Sequence, residues 1–462
     1  MASTPGRPEA PPTTLLSLPE ELLEEVLLRL PAAADLARAS VAWVSFRRLV
    51  TDHRFLRRFR FRFRARQPLP PLGIVSHRSH RYLPLLQLAQ PPHPSAAAAS
   101  TFAVPHAADF SCSFLPSAER WHVRDLRDGR VLLSGVPDGS EFCCRVLVRD
   151  LAVCDPLYRR YTLLPAIPDD LAALAHQSDT GHFEPFLAPP ATEDQEGISF
   201  RVICLARCTA RLVLLIFSSG SGSGAGQWRA VTLDNWVSLL TGLDIRAPGV
   251  KPESYYWPQM RHYAHGYFCW SFYRVNINKM IMLDTRSMDF SAVNLPPGTR
   301  HTQFAILEAG EGRLGMFINE HLTSELRYAV LQNDGGGANQ WLSQGRFSLP
   351  VNYRYMLLGV AGGYLLLQGI PEPWYSRDPS AEVVDMEVLT LNLRTLQLEW
   401  FLTSQFSNMG SHLFAGCPPS LSPPSLQHGN LALSICILVL SYLYIMQVLL
   451  VCYVSNNCFS KL

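Results

Sequence analysis

The pattern of apolar and polar positions near the start of the chain predicts an amphipathic helix. Ser17 and Glu20 have the spacing of a capping box, and Pro19 fits the first turn, where a missing backbone N–H costs little. Apolar side chains then recur at helical spacing, with glutamates on the opposite face. The apolar positions are Leu22, Leu23, Val26, Leu27 and Leu30. We expect Pro31 to end this helix.

A second helical stretch is predicted after a short alanine-rich connection. Asp35 is placed to cap it, and Asp52 to open a further turn. Its apolar positions are Leu36, Ala39, Val41, Trp43, Phe46 and Leu49. Residues 17–59 would then hold three short helices. So small a unit buries little apolar surface on its own, which leaves a surplus to meet a partner.

From Trp121 onward, short apolar runs alternate with turn residues, which predicts strands joined by tight turns. Gly266, Gly312 and Gly362 precede comparable strand units and lie 46 and 50 residues apart. This interval is the period of four-stranded, kelch-like propeller blades. We therefore predict an all-β domain, a β-propeller of about six blades over residues 110–402, with room for a strand from the preceding linker. A two-sheet or irregular all-β domain is the alternative.

Composition narrows the class of protein. Of the 462 residues, 48% are hydrophobic and 17% are charged, which excludes a largely disordered chain. The net charge of +2 gives no overall preference for nucleic acid. Eleven irregularly spaced cysteines and the lack of an apolar signal segment indicate a reducing compartment, the cytoplasm or nucleus.

The N-terminal segment resembles an F-box. The similarity covers LPEELLEEVLLRLPAAADLARASVAWVSFRRLVTDHRFLRRF, with a Leu-Pro start, a Leu-Arg-Leu-Pro helix end and an aromatic-Arg-Arg-Leu close at Phe46 to Leu49. Phe46 stands where a tryptophan is more usual, and Trp43 where a cysteine is common. We expect both to be buried apolar side chains. The alternative is a plain helical subdomain packed on its own chain.

The F-box resemblance implies docking on a Skp-type adaptor and, through it, on a cullin-RING ubiquitin ligase. The chain would then be a non-catalytic substrate receptor whose propeller binds an unknown protein target. The implied contact and core positions are Leu18, Pro19, Leu22, Leu23, Val26, Leu27, Leu30, Pro31, Leu36, Val41, Phe46 and Leu49. The competing hypothesis is a non-degradative interaction protein or a membrane-tethered scaffold.

A second resemblance concerns the β domain. The strings DLRDGRVLL, VCDPLYRRYTLLP and LDTRSMDFSAVNLPPG are similar to the C-terminal domain of large plant F-box families, especially those of grasses. The predicted organisation has six segments. They are a disordered N-terminus (1–14), the F-box (15–60), a linker with irregular strands (61–109), the propeller (110–402), a Pro-rich linker (403–428) and a hydrophobic tail (429–462).

The tail contains 24 uncharged residues, Leu431 to Val454. As a helix it would be about 36 Å long, enough to cross a hydrocarbon core of about 30 Å. Three interpretations remain open, namely a tail anchor with the body in the cytosol, an aberrant end that replaces the family-typical one, and an apolar segment packed on the body.

Candidate chemical motifs are weak. Gly220, Gly222 and Ala225 satisfy G-x-G-x-x-A, but strand-like sequence follows where a dinucleotide site needs a helix. His262 and His265, like the pairs Cys204/Cys208 and Cys143/Cys144, have no third ligand at zinc spacing. We therefore predict no catalytic, cofactor or metal site.

Two further patterns favour structural roles. Phe59, Phe61 and Phe63 alternate with arginines, which favours a half-buried edge strand over a nucleic-acid site. We expect a core role for tryptophans at repeated strand positions, which are Trp121, Trp228, Trp270, Trp341 and Trp400.

Overall fold

The structure is a computed structural model with two compact units, residues 69–423 and the remainder of the chain. It describes residues 18–30, 33–52, 55, 58–59, 70–77, 84–102, 109–135, 147–148, 150–175, 180–189, 199–208, 211–220, 226–241, 257–258, 261–273, 278–299, 302–320, 323–333, 339–371, 385–404 and 410–415.

The first unit is helical, with α1 (Glu20–Leu28), α2 (Ala33–Ala42) and α3 (Val44–Thr51). Pro19 is the N-cap of α1 rather than part of its first turn, and its carbonyl accepts the amides of Leu22 and Leu23, both at 3.1 Å. Ser17, the other half of the predicted capping box, lies outside the described residues. α1 ends at Leu28, before Pro31.

The predicted cap at Asp35 is wrong in detail, whereas a further helical turn does follow Asp52, since the described residues 55, 58 and 59 are helical. Asp35 lies in the first turn of α2, where its carboxylate accepts a hydrogen bond from Arg38 at 2.5 Å and faces the positive end of the helix dipole. Trp43 has extended backbone and separates α2 from α3. Asp52 ends α3, with its amide donating to Leu49 O at 3.0 Å.

The second unit is a six-bladed β-propeller, as predicted, and its blades are antiparallel sheets. Blade 1 has β3 (Trp121–Arg127), β4 (Arg130–Gly135), β5 (Leu151–Asp155) and β6 (Arg160–Leu163). Blade 2 has β7 (Thr180–Ala188), β8 (Arg201–Cys208), β9 (Arg211–Ser218) and β10 (Trp228–Asp234).

Blades 3 to 5 have the same four-stranded order. Blade 3 has β12 (His262–Ala264), β13 (Tyr267–Trp270), β15 (Lys279–Asp284) and β16 (Phe290–Asn294), and a separate strand pair joins β11 (Trp257–Pro258) to β14 (Phe272–Tyr273). Blade 4 has β17 (Gln303–Glu308), β18 (Leu314–Asn319), β19 (Glu325–Asn333) and β20 (Asn339–Ser348). Blade 5 has β21 (Tyr353–Ala361), β22 (Tyr364–Pro371), β23 (Met386–Asn392) and β24 (Leu398–Ser404).

The sixth blade, here called the closing blade, is built from both ends of the unit. It pairs β1 (Pro71–His77) with β2 (Pro84–Leu88) on one side and with β25 (His412–Ala415) on the other. β25 lies beside β21 and β3, so it closes the ring between blade 5 and blade 1. The sheets therefore extend beyond 110–402, and the predicted linker contributes two strands.

In the described part of the propeller, three short α-helices lie between strands, namely α4 (Ala96–Phe102), α5 (Asp169–Ala175) and α6 (Val237–Thr241). Leu147 and Val148 are buried and belong to no strand.

Repeated tight turns explain the glycine period found in the sequence. Four first-to-second-strand connections turn through paired residues with positive φ, the geometry of type I′ hairpins. These pairs are Asp128–Gly129, His265–Gly266, Glu311–Gly312 and Gly362–Gly363. Gly266, Gly312 and Gly362 thus occupy the same connection in three consecutive blades.

The hydrophobic core lies between the blades. Separate clusters fill the contacts of blades 1 and 2, 2 and 3, 3 and 4, and 4 and 5, while the largest surrounds the closing blade. The central strands therefore bury both faces. Leu212 to Phe217 on β9, for example, is an uninterrupted buried run.

The predicted tail segment Leu431 to Val454 lies outside the described residues. In the part of the chain that the structure does describe, no helix has the length and apolar character needed to cross a membrane.

Candidate functional site

The helical unit has a core that uses about half of the predicted adaptor-binding residues. Leu23 and Leu27 of α1 pack with Leu36 of α2 and with Phe46 and Leu49 of α3. Leu28, Val50, Phe55 and Phe59 complete this core. Phe59 therefore belongs to the helical core and not to a strand, while the rest of the predicted Phe-Arg strip is outside the described residues.

Other predicted adaptor-binding residues remain at the surface. Leu22 is 53% exposed, Val26 41% and Val41 86%. Pro19 is also exposed, Leu18 and Leu30 are partly buried, and Pro31 lies outside the described residues. The helical periodicity placed Leu22 and Leu23 on one face, but the packing separates them into a surface residue and a core residue.

Trp43 corrects one expectation from the sequence. The sequence predicts a buried side chain, yet Trp43 is 48% exposed and lies in the extended backbone between α2 and α3. Its ring and that of Phe46 form an edge-type pair, at 5.3 Å between centroids. Val44, which the sequence analysis missed, is also exposed. Exposed valine and tryptophan side chains at the junction of α2 and α3 thus add to those on α1.

Charged side chains from three blades meet on the innermost strands of the propeller. Arg261, directly before β12, has Nη2 2.9 Å from Asp125 Oδ1 on β3 and also pairs with Glu184 on β7. Asp125 Oδ2 accepts the Leu187 amide at 2.8 Å, and Glu184 Oε2 accepts Trp270 Nε1–H at 3.0 Å. We call Asp125, Glu184 and Arg261 the axial network.

The axial network also reaches the closing blade. His412 on β25 has Nδ1 3.6 Å from Asp125 Oδ1. Burial alone would raise the pKa of Asp125, but the charges of Arg261, His412 and Arg127 and the Leu187 amide outweigh it and hold that pKa below its usual value. Each carboxylate oxygen of Asp125 and Glu184 has a protein partner, so the network fits a clasp between blades better than a ligand site.

The histidine pair proposed and discounted from the sequence is split by the turn between β12 and β13. His262 is buried and stacks on Phe304 at 5.6 Å between ring centroids, and burial lowers its pKa to about 4. His265 stands in the turn with φ 48°, and its amide donates to Glu308 Oε1 at 3.1 Å. Strand and turn geometry, rather than metal binding, accounts for both positions.

The cysteines that the structure describes are buried and form no disulfide among themselves. Cys204 and Cys208 lie on the single strand β8, and burial raises the pKa of the Cys204 thiol. Cys143 and Cys144 lie outside the described residues. No group of three or more metal-ligating side chains occurs in the ranges given above.

The glycine-rich segment connects β9 to β10. Gly220 and Gly226 are described at its two ends, and strand β10 follows where a dinucleotide site would need a helix. The Gly226 amide donates to Ser218 O at 2.9 Å, as in a hairpin connection. Gly222 and Ala225 lie outside the described residues.

The predicted core role is met by the buried Trp121, Trp228 and Trp270, while Trp341 is only partly buried. Two tryptophans join neighbouring blades. Trp228 Nε1 donates to Pro165 O at 2.7 Å, and Trp341 Nε1 donates to Asn294 O at 2.7 Å. Each bond runs from the fourth strand of one blade to the end of the blade before it. Trp121 is buried and donates to Pro116 O at 2.9 Å, and Trp400 is partly buried on β24.

Comparison with known proteins assigns no family to the chain. No family model matches it, and no curated protein matches it. Among solved structures, exo-β-1,3-galactanase from Phanerochaete chrysosporium aligns over 61% of this chain and 66% of its own, with 9% identity and a TM-score of 0.29. Prolyl oligopeptidase B from Galerina marginata aligns over 61% and 37%, with 11% identity and a TM-score of 0.29. The chain thus spans less than two thirds of each, and at these scores the likeness carries no argument about activity.

Proposed function

We propose that the chain is a non-catalytic substrate receptor of a Skp-cullin-F-box ubiquitin ligase. The helical unit would bind a Skp-type adaptor, and the propeller would bind the protein to be modified. The observation that carries the proposal is the exposure of Leu22, Val26, Val41 and Trp43 on a unit whose own core is already filled by other side chains.

Exposed apolar side chains on a small helical unit favour a protein partner. Burying such residues in an interface removes apolar surface from water, and aromatic side chains are enriched among the residues that dominate binding energy. The F-box resemblance of residues 18–59 supports a Skp-type adaptor as that partner.

The propeller supports the receptor half of the proposal through its shape. Its loops converge at two mouths, which suits recognition of one target by several blades. We also propose that the repeat is kelch-like, on the basis of the 46- and 50-residue glycine spacing. Action in the cytoplasm or nucleus, and a tail anchor formed by residues 431–454, are further proposals that rest on the sequence alone.

Adaptor binding is tested with a surface substitution that spares the core. Leu22→Arg is expected to weaken capture of a purified Skp-type adaptor by about 30-fold, the equivalent of about 2 kcal/mol for a central interface residue. Val351→Arg, an exposed valine on the propeller, is the matched control and should leave capture unchanged. Unchanged capture by Leu22→Arg, with an unchanged unfolding transition, would refute adaptor docking through this face.

Degradation needs a separate readout. Proteins bound to the propeller are identified after crosslinking, and their abundance is compared in cells that carry the native chain or Leu22→Arg. A receptor predicts that at least one bound protein accumulates with Leu22→Arg. Constant abundance of every bound protein, together with lost adaptor capture, would favour the non-degradative interaction protein.

A further inference from the structure

A residue pair recurs where the second and third strands of a blade meet. The first residue of the second strand stands opposite the last residue of the third strand. In several blades this last residue is an Asp or Asn, and its side chain also caps the turn that follows the strand. The pairs are Tyr267–Asp284 in blade 3 and Tyr364–Asn392 in blade 5. In blade 1, continuing the register of Val131 with Cys154 brings Arg130 opposite Asp155, and the two charges interact. In blade 1 this position joins a cation to a carboxylate.

Blade 2 keeps the cation and lacks the carboxylate. Arg201 occupies the position of Arg130, but it pairs with Ser218. Arg201 is 3% exposed, and its Nε has no hydrogen-bond partner. The Nε of Arg130 is also unsatisfied, but Arg130 donates through Nη1 to Ser199 O at 2.9 Å and interacts with the charges of Asp155 and Asp128. The missing counter-charge, and not the unsatisfied Nε, therefore distinguishes Arg201.

The surroundings of Arg201 increase the local positive charge. Arg229 lies on the same face of blade 2, since Ile203 pairs with Ile216 and Ile216 pairs with Arg229. Burial and the charge of Arg229 lower the pKa of Arg201 to about 10, while Tyr263 acts in the opposite direction. Among the described residues, no carboxylate lies within ion-pair distance of the Arg201 guanidinium.

Tyr263 of blade 3 connects this cation to the neighbouring blade. The Arg127 guanidinium lies 4.0 Å from the centre of the Tyr263 ring, and its Nε donates to Leu187 O at 3.0 Å. Glu308 and Asp128 also act on the Tyr263 hydroxyl, but Glu308 Oε1 already accepts the His265 amide. The Tyr263 ring of blade 3 therefore lies against Arg127 of blade 1, and the charge of Arg201 on blade 2 also acts on the Tyr263 hydroxyl.

We propose that Arg201, with Arg229 and the hydroxyl of Tyr263, binds an oxyanion between blades 2 and 3. A buried guanidinium without a counter-charge is costly, and a bound anion removes that cost. The planar guanidinium presents paired N–H donors that match two oxygens of a carboxylate or of a phosphate. The site binds either group as a free anion or as part of a larger ligand, and it does not depend on adaptor docking.

Thermal unfolding of the full chain tests the site with inorganic phosphate, acetate and chloride at equal ionic strength and pH 7. At least one oxyanion is expected to raise the midpoint of the native chain above its value in chloride. A rise of the midpoint with acetate alone, with phosphate alone or with both anions shows which oxyanion the site accepts. Phosphate also stabilises proteins generally. The rise of the native chain's midpoint is therefore compared with the rise for Arg201→Met, which should lack the part that is due to binding at this site.

Two further variants compare the Arg201 position of blade 2 with the equivalent Arg130 position of blade 1. Ser218→Asp supplies the missing carboxylate, so it should raise the midpoint in chloride and abolish the specific response to oxyanions. Arg130→Met, at the equivalent position, should lower the midpoint and keep the response. A response retained by Arg201→Met, or absent from the native chain with both anions, would overturn the site.

The chain's own acidic residues at 193, 194 and 196, which lie outside the described ranges, provide a last control. The combined variant Glu193→Gln, Asp194→Asn and Glu196→Gln should respond to oxyanions as the native chain does. If only this variant responds, an internal carboxylate neutralises Arg201 and the proposal is wrong.

Discussion

Arg261 of blade 3 lies 2.9 Å from Asp125 of blade 1, although a complete blade separates them around the ring. The same guanidinium also pairs with Glu184 of that intervening blade. Because the innermost strands converge near the axis, one side chain can join three blades there. The propeller is thus held by apolar packing between its blades and by an ionic clasp at its centre.

Removing the cation of this clasp should destabilise the propeller strongly. Arg261→Met leaves the buried Asp125 and the half-buried Glu184 without their main partner, and an uncompensated buried charge typically costs about 3–5 kcal/mol. Urea unfolding followed by tryptophan fluorescence measures the change. Arg346→Met breaks an exposed pair with Glu325 and should cost less than about 1 kcal/mol. Equal losses in the two variants would contradict the role of the clasp.

The helical unit should lose stability when its core is reduced and keep it when its surface is changed. Leu27→Ala removes a buried side chain from the core shared by α1 and α3, at a typical cost of about 2–5 kcal/mol. Val26→Ala, one position away on the exposed side, is expected to cost under about 1 kcal/mol. Hydrogen exchange of the α1 amides distinguishes them. Similar protection in both variants would show that Leu27 is not a core residue.

Replacing a glycine in a type I′ turn should lower the free energy of unfolding through backbone conformation alone. Gly266 has φ 85°, and a Cβ there would meet only Thr285 Oγ1 at 3.7 Å, so Gly266→Ala should cost about 1–2 kcal/mol through strain. Gly345 on β20 has open space and no positive φ, and Gly345→Ala should be nearly neutral. Thermal unfolding of the pair checks the prediction, which fails if the Gly266 variant is as stable as the Gly345 variant.

His93 should make stability depend on pH in the acidic range. Its Nδ1 accepts the Ser95 amide at 3.1 Å and its Nε2 lies 3.0 Å from Thr390 Oγ1, which suits the neutral ring. Burial lowers its pKa from 6.5 to about 4. Between these values the unfolded chain binds the proton and the folded chain does not, so stability falls as pH falls from 6.5 to 4.

The titration of His93 can change the free energy of unfolding by at most about 1.4 kcal/mol per pH unit. His93→Gln removes it, so the loss of unfolding free energy between pH 6.5 and pH 5 should be smaller in this variant. His265→Gln, in the turn between β12 and β13, serves as the control. An unchanged pH dependence in His93→Gln would rule out the titration of His93 as its source.

Ring closure can be tested by truncation. A chain that ends at Pro423 retains β25, whereas one that ends at Ser411 lacks the strand that joins β1 to blades 5 and 1. We expect a cooperative thermal transition for the first and a broader transition at lower temperature for the second. Coincident transitions would show that β25 is dispensable.

The sequence predicted those features that depend on local pattern. Gly266, Gly312 and Gly362 revealed the blade period because a type I′ turn requires positive φ, which glycine adopts readily. Helical periodicity likewise located α1. It did not distinguish Leu22 from Leu23, because both lie within one apolar stripe and only packing against α3 decides which is buried.

Features that join distant segments escaped prediction. The pairing of Ile74 with Leu413 leaves no local signal in either segment, so the sequence predicts only a linker with irregular strands where β1 and β2 lie. Arg261 also gave no signal, since its partners Asp125 and Glu184 lie far away in sequence. The hydrogen bond from Trp270 to Glu184 can be recognised only from the fold, although a tryptophan in a strand already indicates burial.

The order in which the closing blade is assembled has a consequence for synthesis in the cell. Roughly 330 residues separate β1 from β25, and at about 5–20 residues per second a ribosome needs roughly 20–70 s to make them. Throughout that time one edge of β1 has no final partner, and open strand edges promote association with other chains. Newly made molecules should therefore depend on chaperones until the last strand emerges, and a premature stop shortly before His412 should direct nearly full-length chains to degradation.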